Sequence, residues 1–204
     1  MRTLLIATGN LGKVREITTL MQGLNIILVT PEQLGLKQEV QETGNTYAEN
    51  AAIKALAFAR TARLLTLADD SGLEVEALAG APGIRSARYS PKPGANDADR
   101  RVYLLERLHS CSTPWKAHFH CTVALASSSG DVHFAEGDCF GEIISQERGS
   151  NGFGYDPIFF IPELGKTMGE LSIEEKNIIS HRARAIKSAI PILTEMLSAF
   201  PPDM

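Results

Sequence analysis

The hydrophobic patterning of this chain predicts an α/β fold: a central mixed β-sheet with flanking helices. Three observations carry that expectation. The N-terminal stretch reads strand, helix, strand; a second helical segment leads into another continuous apolar run; and the middle of the chain then switches to alternating, turn-punctuated strands. Strands separated by helices pair in parallel, whereas strands joined by tight turns pair antiparallel, so the sheet must be mixed.

Residues 2 to 8 form a buried strand. Residues 11 to 22 place Val14, Ile17, Leu20 and Met21 on one helical face, and "IILV" supplies the next strand. Thr46 and Glu49 in "TYAEN" have the spacing of a capping box. Behind it Ala48, Ala52, Ala55, Ala59 and Ala62 recur at helical spacing, as a helix packed closely on a flat surface requires. "LLTLA" is the profile of a central strand, and the following Asp69-Asp70-Ser71-Gly72 predicts that the strand ends there in a polar turn. Such strand ends are where α/β sheets place their sites.

Residues 81 to 96, rich in Pro and Gly, predict an irregular connection, and "DADRRVYLLERL" a helix. "HFHCTVALA" and "DVHFAEGDCFGEII" alternate as antiparallel strands. Ser172 and Glu175 form a second capping box, followed by Ile179, Ala183, Ile186, Ile190, Leu193 and Leu197 at helical spacing. Pro191 within that pattern predicts a kink or a break, and the tail "FPPDM" reads as frayed.

With 204 residues, 44% of them hydrophobic, the chain can bury a sizeable core, and it reads as a single domain over residues 1 to 204. A formal net charge of -4 argues against a surface that grips nucleic acid non-specifically. Cys111, Cys121 and Cys139 form no C-x-x-C pair and are odd in number, which suits reduced, packed thiols. No stretch has the length of a membrane span or the pattern of a signal peptide, so a soluble cytoplasmic protein is expected.

Three clusters could carry chemistry. In "LLIATGNLGKVRE" a glycine turn and a lysine precede a helix, as in a phosphate-binding loop. Only Asn10 and Leu11 separate Gly9 from Gly12-Lys13, and Val14 follows, so the spacing and the metal-binding hydroxyl of a Walker A loop are both missing. The stretch is either a plain strand-to-helix turn or an anion site whose metal ligands come from elsewhere. Asp69-Asp70 are either turn formers or a carboxylate pair that a cation offsets, with Glu42 in "QETGNT" a second ligand if the fold brings it there. "GSNGFGYDP" is either a structural turn or a loop whose backbone hugs a ligand while an aromatic ring stacks on a base. "KNIISHR" groups Lys176, His181 and Arg182, for which a solvated basic helix face is the ordinary explanation. His118 and His120 share one strand face without a third ligand, which favours packing over metal binding. Adjacent aspartates also depart from the D-x-D pattern of aspartyl-phosphate enzymes.

Taken together, "TGNLGK", "QETGNTYAENAAIKA", "ADDSGLEVEALAGAPGIRSARYS", "GFGYDPIFF" and "EEKNIISHRARA" resemble, in order and spacing, the Ham1/RdgB-like family of inosine/xanthosine triphosphate pyrophosphatases. The five blocks cover about half of the chain; residues 91 to 116 are the least family-like, and Ser150-Asn151 stand where relatives often carry Thr-Gly. The resemblance implies two lobes around a nucleotide-binding cleft, a homodimer, and Mg²⁺-dependent hydrolysis of ITP, dITP and XTP to monophosphate and pyrophosphate. It assigns Thr8, Gly9, Asn10, Leu11, Gly12 and Lys13 to the triphosphate, Glu42 and Asp70 to Mg²⁺, Asp70 also to the general base, and Lys54 to the phosphates. Ser71 would contact substrate, and Phe153, Gly154, Tyr155, Asp156, Lys176, His181 and Arg182 would form the nucleoside pocket. Lysines and a metal ion suit that chemistry because charge builds on phosphate oxygens as the bond breaks. A Maf-like pyrophosphatase, which would carry Ser and Arg in the first block, and a non-catalytic nucleotide-binding module are the alternatives. Intact Lys13, Glu42 and Asp70 weigh against the second.

Overall fold

A computed structural model describes residues 2–199; the "FPPDM" tail lies outside the described residues. Seven strands form one sheet: β1 (Arg2–Ile6), β2 (Ile26–Val29), β3 (Leu65–Val75), β4 (Trp115–Ala126), β5 (Val132–Ile143), β6 (Phe159–Ile161) and β7 (Lys166–Thr167). Their order is β2-β1-β3-β4-β5-β6-β7. β1 pairs in parallel with β2 and β3, while β5–β6 and β6–β7 are antiparallel, so the mixed sheet expected from the sequence is present. Among the described residues five α-helices accompany it: α1 (Leu11–Leu20), α2 (Tyr47–Ala62), α3 (Asp97–Leu108), α4 (Ile173–Ile179) and α5 (His181–Ala199).

The chain divides into two compact units, one of residues 1–70, 121–137 and 182–204, the other of residues 71–120 and 138–181. In the first unit, side-chain alternation sorts the strands onto two faces. Leu4, Ile6, Leu67, Cys121, Val123 and Leu125 pack with Ile17 and Met21 of the α1 region and with Ala185, Ile186, Ala189 and Leu193 of α5. Leu5, Ala7, Ala68, Ala124 and Ala126 meet Ala51, Ala55, Phe58 and Ala59 of α2. The alanines on both sides of that second contact let α2 lie close to the strands. The buried stripe is Ala51-Ala55-Ala59, with Phe58 beside it; Ala48, Ala52 and Ala62 of the expected stripe are only half-buried. In the second unit, Leu104 and Leu108 of α3 join Leu73, Val75, Phe119, Ile143, Ile158 and Phe159 in a separate core.

Two sequence expectations change. β3 does not end at Asp69: it runs through Asp70, Ser71 and Gly72 to Val75, because the two carboxylates find partners on neighbouring helices and the intrinsic turn preference of Asp-Ser-Gly is overridden. The C-terminal helical pattern breaks at Ser180, whose extended backbone separates α4 from α5, while Pro191 lies inside an unbroken α5. Ser180 caps α4 with its N–H on the Lys176 carbonyl, and the turn it makes redirects the chain at the start of α5.

Candidate active site

Adjacent residues of a strand point to opposite faces, and Asp69 and Asp70 use that rule to build two different environments. On one face the Asp69 carboxylate lies 2.9 Å from Lys13 Nζ of α1 and accepts a 3.1 Å hydrogen bond from Arg182 Nε at the head of α5. Arg182, 1% exposed, also donates from Nη1 to Glu16 at 2.5 Å, and Glu16 is itself buried on α1. Lys13 and Glu16 are three apart and so share a face of α1. With α1 itself joining Lys13 to Glu16, these contacts close a ring: Lys13, Asp69, Arg182, Glu16. Burial alone would raise the Asp69 carboxyl, but Lys13, Arg182 and Lys54 outweigh it and hold it far below the usual carboxylate range. Arg182 is held the opposite way, its burial more than offset by Asp69 and Glu16.

On the other face Asp70 Oδ2 accepts a 3.1 Å hydrogen bond from Asn50 Nδ2 of α2. The same Asn50 amide accepts from Gly44 N–H at 2.8 Å, so one fully buried side chain joins the 42–46 segment to the strand. Gly44 allows this approach: a Cβ there would sit 2.6 Å from Glu49 Cβ and 2.8 Å from Asn50 Oδ1. Thr46 and Glu49 form the expected capping box, with Glu49 also accepting from Asn45 N–H at 2.6 Å. Lys54, one helical turn after Asn50, pairs with Glu42 and donates to the Asp69 carbonyl at 3.0 Å. Burial works against its charge, but Asp69, Glu42 and Asp70 raise its pKa. Asp70 is pushed upward from the ordinary carboxylate range by its burial and by Glu42, against the pull of Lys54, Lys13 and the Asn50 hydrogen bond.

Lys13, Lys54, Asp69, Asp70, Glu42 and Asn50 are therefore brought together in the first unit. Asp69, Asp70, Glu42 and Glu16 outnumber Lys13, Lys54 and Arg182 by one formal charge. Among the described residues no group of three or more His, Cys, Asp or Glu forms a metal cage. Glu42 and Asp70 fit a different kind of ion, since Mg²⁺ commonly takes one or two carboxylates and leaves the rest to water and substrate phosphates. An ion there would also offset the burial and the Glu42 repulsion that raise Asp70.

At the first glycine turn, Asn10 is the N-cap of α1, its Oδ1 accepting from Gly12 N–H at 2.8 Å and from Lys13 N–H at 3.2 Å. Those two amides, expected to welcome an anion, are thus engaged by Asn10 itself. Thr8 Oγ1 accepts from Asn10 N–H at 3.2 Å, Gly9 is exposed, and Leu11 is 67% exposed.

The second unit gathers the remaining expected site residues. Gly152 takes the left-handed conformation (φ 75°), and a Cβ there would strike Asp156 Oδ2 at 2.0 Å. That oxygen accepts from Phe153 N–H at 2.8 Å and from Lys176 Nζ at 2.6 Å. The Lys176 ammonium lies 5.0 Å from the centroid of the Phe153 ring. His181 stacks on Phe119 with centroids 4.7 Å apart and planes at 19°. Tyr155 is buried and donates from its hydroxyl to the Ser86 carbonyl at 3.0 Å. Ser71 is half-buried in β3. Lys176, His181 and Arg182 are each at most 4% exposed, so they do not form a solvated basic helix face. Asn151, at the departure from the family pattern, donates from its backbone to Gly169 at 2.9 Å and from its amide to Leu171 at 3.0 Å, so it fastens the loop.

His118 and His120 do not converge on a metal: His118 is 3.5 Å from Glu74 and stacks on Phe140, and His120 lies 2.7 Å from Asp138. Sequence reasoning missed Glu16 and the anchoring role of Asp69. The only signal for Glu16 was a charged residue next to the buried Ile17 on an otherwise amphipathic helix.

The Ham1 family model matches residues 4–192. Curated relatives include the dITP/XTP pyrophosphatase of Desulforamulus reducens, 44% identical over 194 residues, with 95% of this chain and 96% of that protein covered. The dITP/XTP pyrophosphatase of Geobacter sulfurreducens is 46% identical over 189 residues, covering 91% of this chain and 94% of that one. Among solved structures, a HAM1 protein from Coxiella burnetii superposes with a TM-score of 0.86 at 40% identity, covering 96% of this chain and all of that one. The Staphylococcus aureus Ham1 protein gives 0.81 at 37% identity, with 97% and 98% covered.

Proposed function

The chain belongs to the Ham1 family, and from that premise we propose that residues 1 to 204 act as one enzyme that hydrolyses ITP, dITP and XTP to the monophosphate and pyrophosphate, clearing deaminated purines from the nucleotide pool. One observation supports the chemistry most directly: two adjacent aspartates of β3 are driven in opposite directions by their surroundings. Groups whose environments push their pKa values apart are the usual basis for dividing acid–base roles. Asp69 stays ionised and anchors Lys13; Asp70, nearer to the operating pH than an ordinary carboxylate, is the general base.

In this reading residues Thr8 to Lys13 and Lys54 receive the triphosphate, and the ammonium groups of Lys13 and Lys54 offset charge that grows on the leaving pyrophosphate. Glu42 and Asp70 would hold Mg²⁺, which would supply Lewis-acid stabilisation of the phosphate oxygens. Asn50 orients the Asp70 carboxylate toward the attacking water, Asp70 takes the water proton, the new phosphorus–oxygen bond forms, and the bond between the α and β phosphates opens. Ser71, Phe153 to Asp156, Lys176, His181 and Arg182 receive the nucleoside. Stacking on Phe153 is tolerant of base identity. Discrimination falls to donors such as Lys176, His181 and Arg182, which suit the C6 carbonyl of hypoxanthine and xanthine and are mismatched with the amino group of adenine. Mismatches of that kind are rejected by up to roughly 10⁴-fold. A homodimer and a cytoplasmic location belong to the same proposal and rest on the family resemblance.

The test is a panel of ITP, dITP, XTP, dGTP, ATP and dATP with Mg²⁺, assayed separately for pyrophosphate and orthophosphate. Stoichiometric pyrophosphate and monophosphate, with higher kcat/KM for dITP than for dATP, is the expected result. Orthophosphate release would exclude the bond assignment, and equal efficiency on dITP and dATP would exclude the specificity.

A further inference from the structure

The loop 152–156 is held by a helix that the family resemblance covers least. α3 carries Asp97 in its first turn and Arg101 four residues on, so both side chains project from one face. Both reach the same residue. Gly154 N–H donates to Asp97 Oδ2 at 2.8 Å, and the Gly154 carbonyl accepts from Arg101 Nη1 at 2.8 Å.

Each charged partner is itself fixed. Arg101 makes a two-pronged contact with Glu147, Nε and Nη2 donating at 2.8 and 2.9 Å, which leaves its planar fork little rotational freedom. Asp97 pairs with Arg100 through its other oxygen. Although burial would raise the Asp97 carboxyl, the Gly154 hydrogen bond and Arg100 hold it below the ordinary range, so it remains a full acceptor at neutral pH. Gly154 has a positive φ of 63°, which glycine adopts without steric cost, and hydrogen bonds to both of its backbone groups hold it in that course. Its neighbours inherit that course: Phe153 on one side, Tyr155 and Asp156 on the other.

We propose that Asp97 and Arg101 are positioning residues that set substrate affinity by clamping both backbone groups of Gly154 and thereby fixing the Phe153 ring for the purine base. Neither touches substrate in this proposal. It rests on the reading of residues 153–156 as the base-binding loop, and it places a control on substrate affinity in a helix outside the blocks that carry the family resemblance. Charge-assisted hydrogen bonds are the stronger kind, and small misplacements of a binding element typically cost on the order of 10- to 100-fold.

The experiment compares Arg101→Ala and Asp97→Asn with wild type on dITP, scored as KM and kcat separately, with inhibition by inorganic pyrophosphate and the thermal midpoint measured alongside. Phe153→Ala is the control for the underlying reading. The expected result is a rise in KM for dITP of about 10-fold or more in the clamp variants, with kcat changed far less and pyrophosphate inhibition unchanged. A structural defect alone would lower kcat through the active fraction and leave KM alone, and that pattern would overturn the proposal. If Phe153→Ala raises KM but the clamp variants do not, the positioning role is wrong; if Phe153→Ala itself leaves KM unchanged, the reading of the loop is wrong and the proposal falls with it. Should either clamp variant fail to fold, Glu147→Ala carries the test, because its carboxylate is 45% exposed and removing it loosens only the Arg101 fork. A rise of a few-fold in KM is then expected, and an unchanged KM overturns the clamp.

Discussion

Substituting Asp69→Asn removes a fully buried negative charge that faces Lys13 Nζ at 2.9 Å and Arg182 Nε at 3.1 Å while keeping the side chain's size. Arg182 remains charged and buried, now facing Glu16 with one carboxylate fewer. Breaking a buried ion pair by removing one partner costs about 3–5 kcal/mol, and because the amide oxygen still accepts hydrogen bonds the lower end, about 3 kcal/mol, is expected. For a chain of this length about 2–4 °C of midpoint corresponds to each kcal/mol, so thermal unfolding should shift down by about 6–12 °C. The pH dependence gives an independent check. The folded pKa of Asp69 is depressed, so its contribution is fully present above the unfolded value near pH 4 and is lost as pH falls below it, where the unfolded chain takes up the proton first. The difference between wild type and variant should therefore be constant from neutrality down to about pH 4 and shrink below that. Combining Asp69→Asn with Glu16→Gln should depart from the sum of the two, because both variants act on Arg182. A midpoint shift below about 2 °C, or strictly additive losses, would refute the account of the ring as one electrostatic unit.

Asp70→Asn should lower kcat by roughly 10²- to 10⁴-fold, because an amide cannot accept the proton. Its thermal midpoint should match or exceed that of wild type, since ionising the upward-shifted Asp70 opposes folding; a large fall in midpoint would contradict that sign. In wild type the acidic limb of kcat/KM against pH should lie above the ordinary Asp value near 3.9, and a limb at or below it would remove Asp70 as the base. Lys13→Ala should reduce kcat by on the order of 10²-fold even at saturating substrate, whereas a change confined to KM would make Lys13 a ground-state binder. Chelation should abolish turnover, added Mg²⁺ should restore it, and Glu42→Gln should raise the Mg²⁺ concentration needed for half-maximal rate; an unchanged requirement would take Glu42 out of the metal site.

Local pattern made most of the architecture legible. Period, capping boxes and turn residues located β1 to β5, α3 to the residue, and the starts of α2 and α4, because those signals lie within a few positions of the structure they specify. What stayed hidden depends on partners far along the chain. Asp69-Asp70-Ser71-Gly72 reads as a turn until Lys13, Arg182 and Asn50 are known to meet the carboxylates. Glu16 looks like a helix-surface residue because its partner stands 166 positions away. The break before α5 went to Ser180 instead of Pro191, since a proline can persist in a helix whose flanks are well packed, as Leu193 and Ala189 are here. The clamp on Gly154 had no sequence signal at all: Asp97 and Arg101 read as ordinary charges near the start of an amphipathic helix.

The ring of Lys13, Asp69, Arg182 and Glu16 also sets an order of events during synthesis. Two of its acids and its lysine are made within the first 70 residues, but the guanidinium that joins them is 113 residues beyond Asp69. At roughly 5–20 residues per second, about 6–23 s separate the synthesis of Asp69 from that of Arg182. Until then Glu16 and Asp69 lack the guanidinium that joins them in the folded protein. The carboxylate beside the proposed base reaches its final electrostatic state only once the head of α5 has been made.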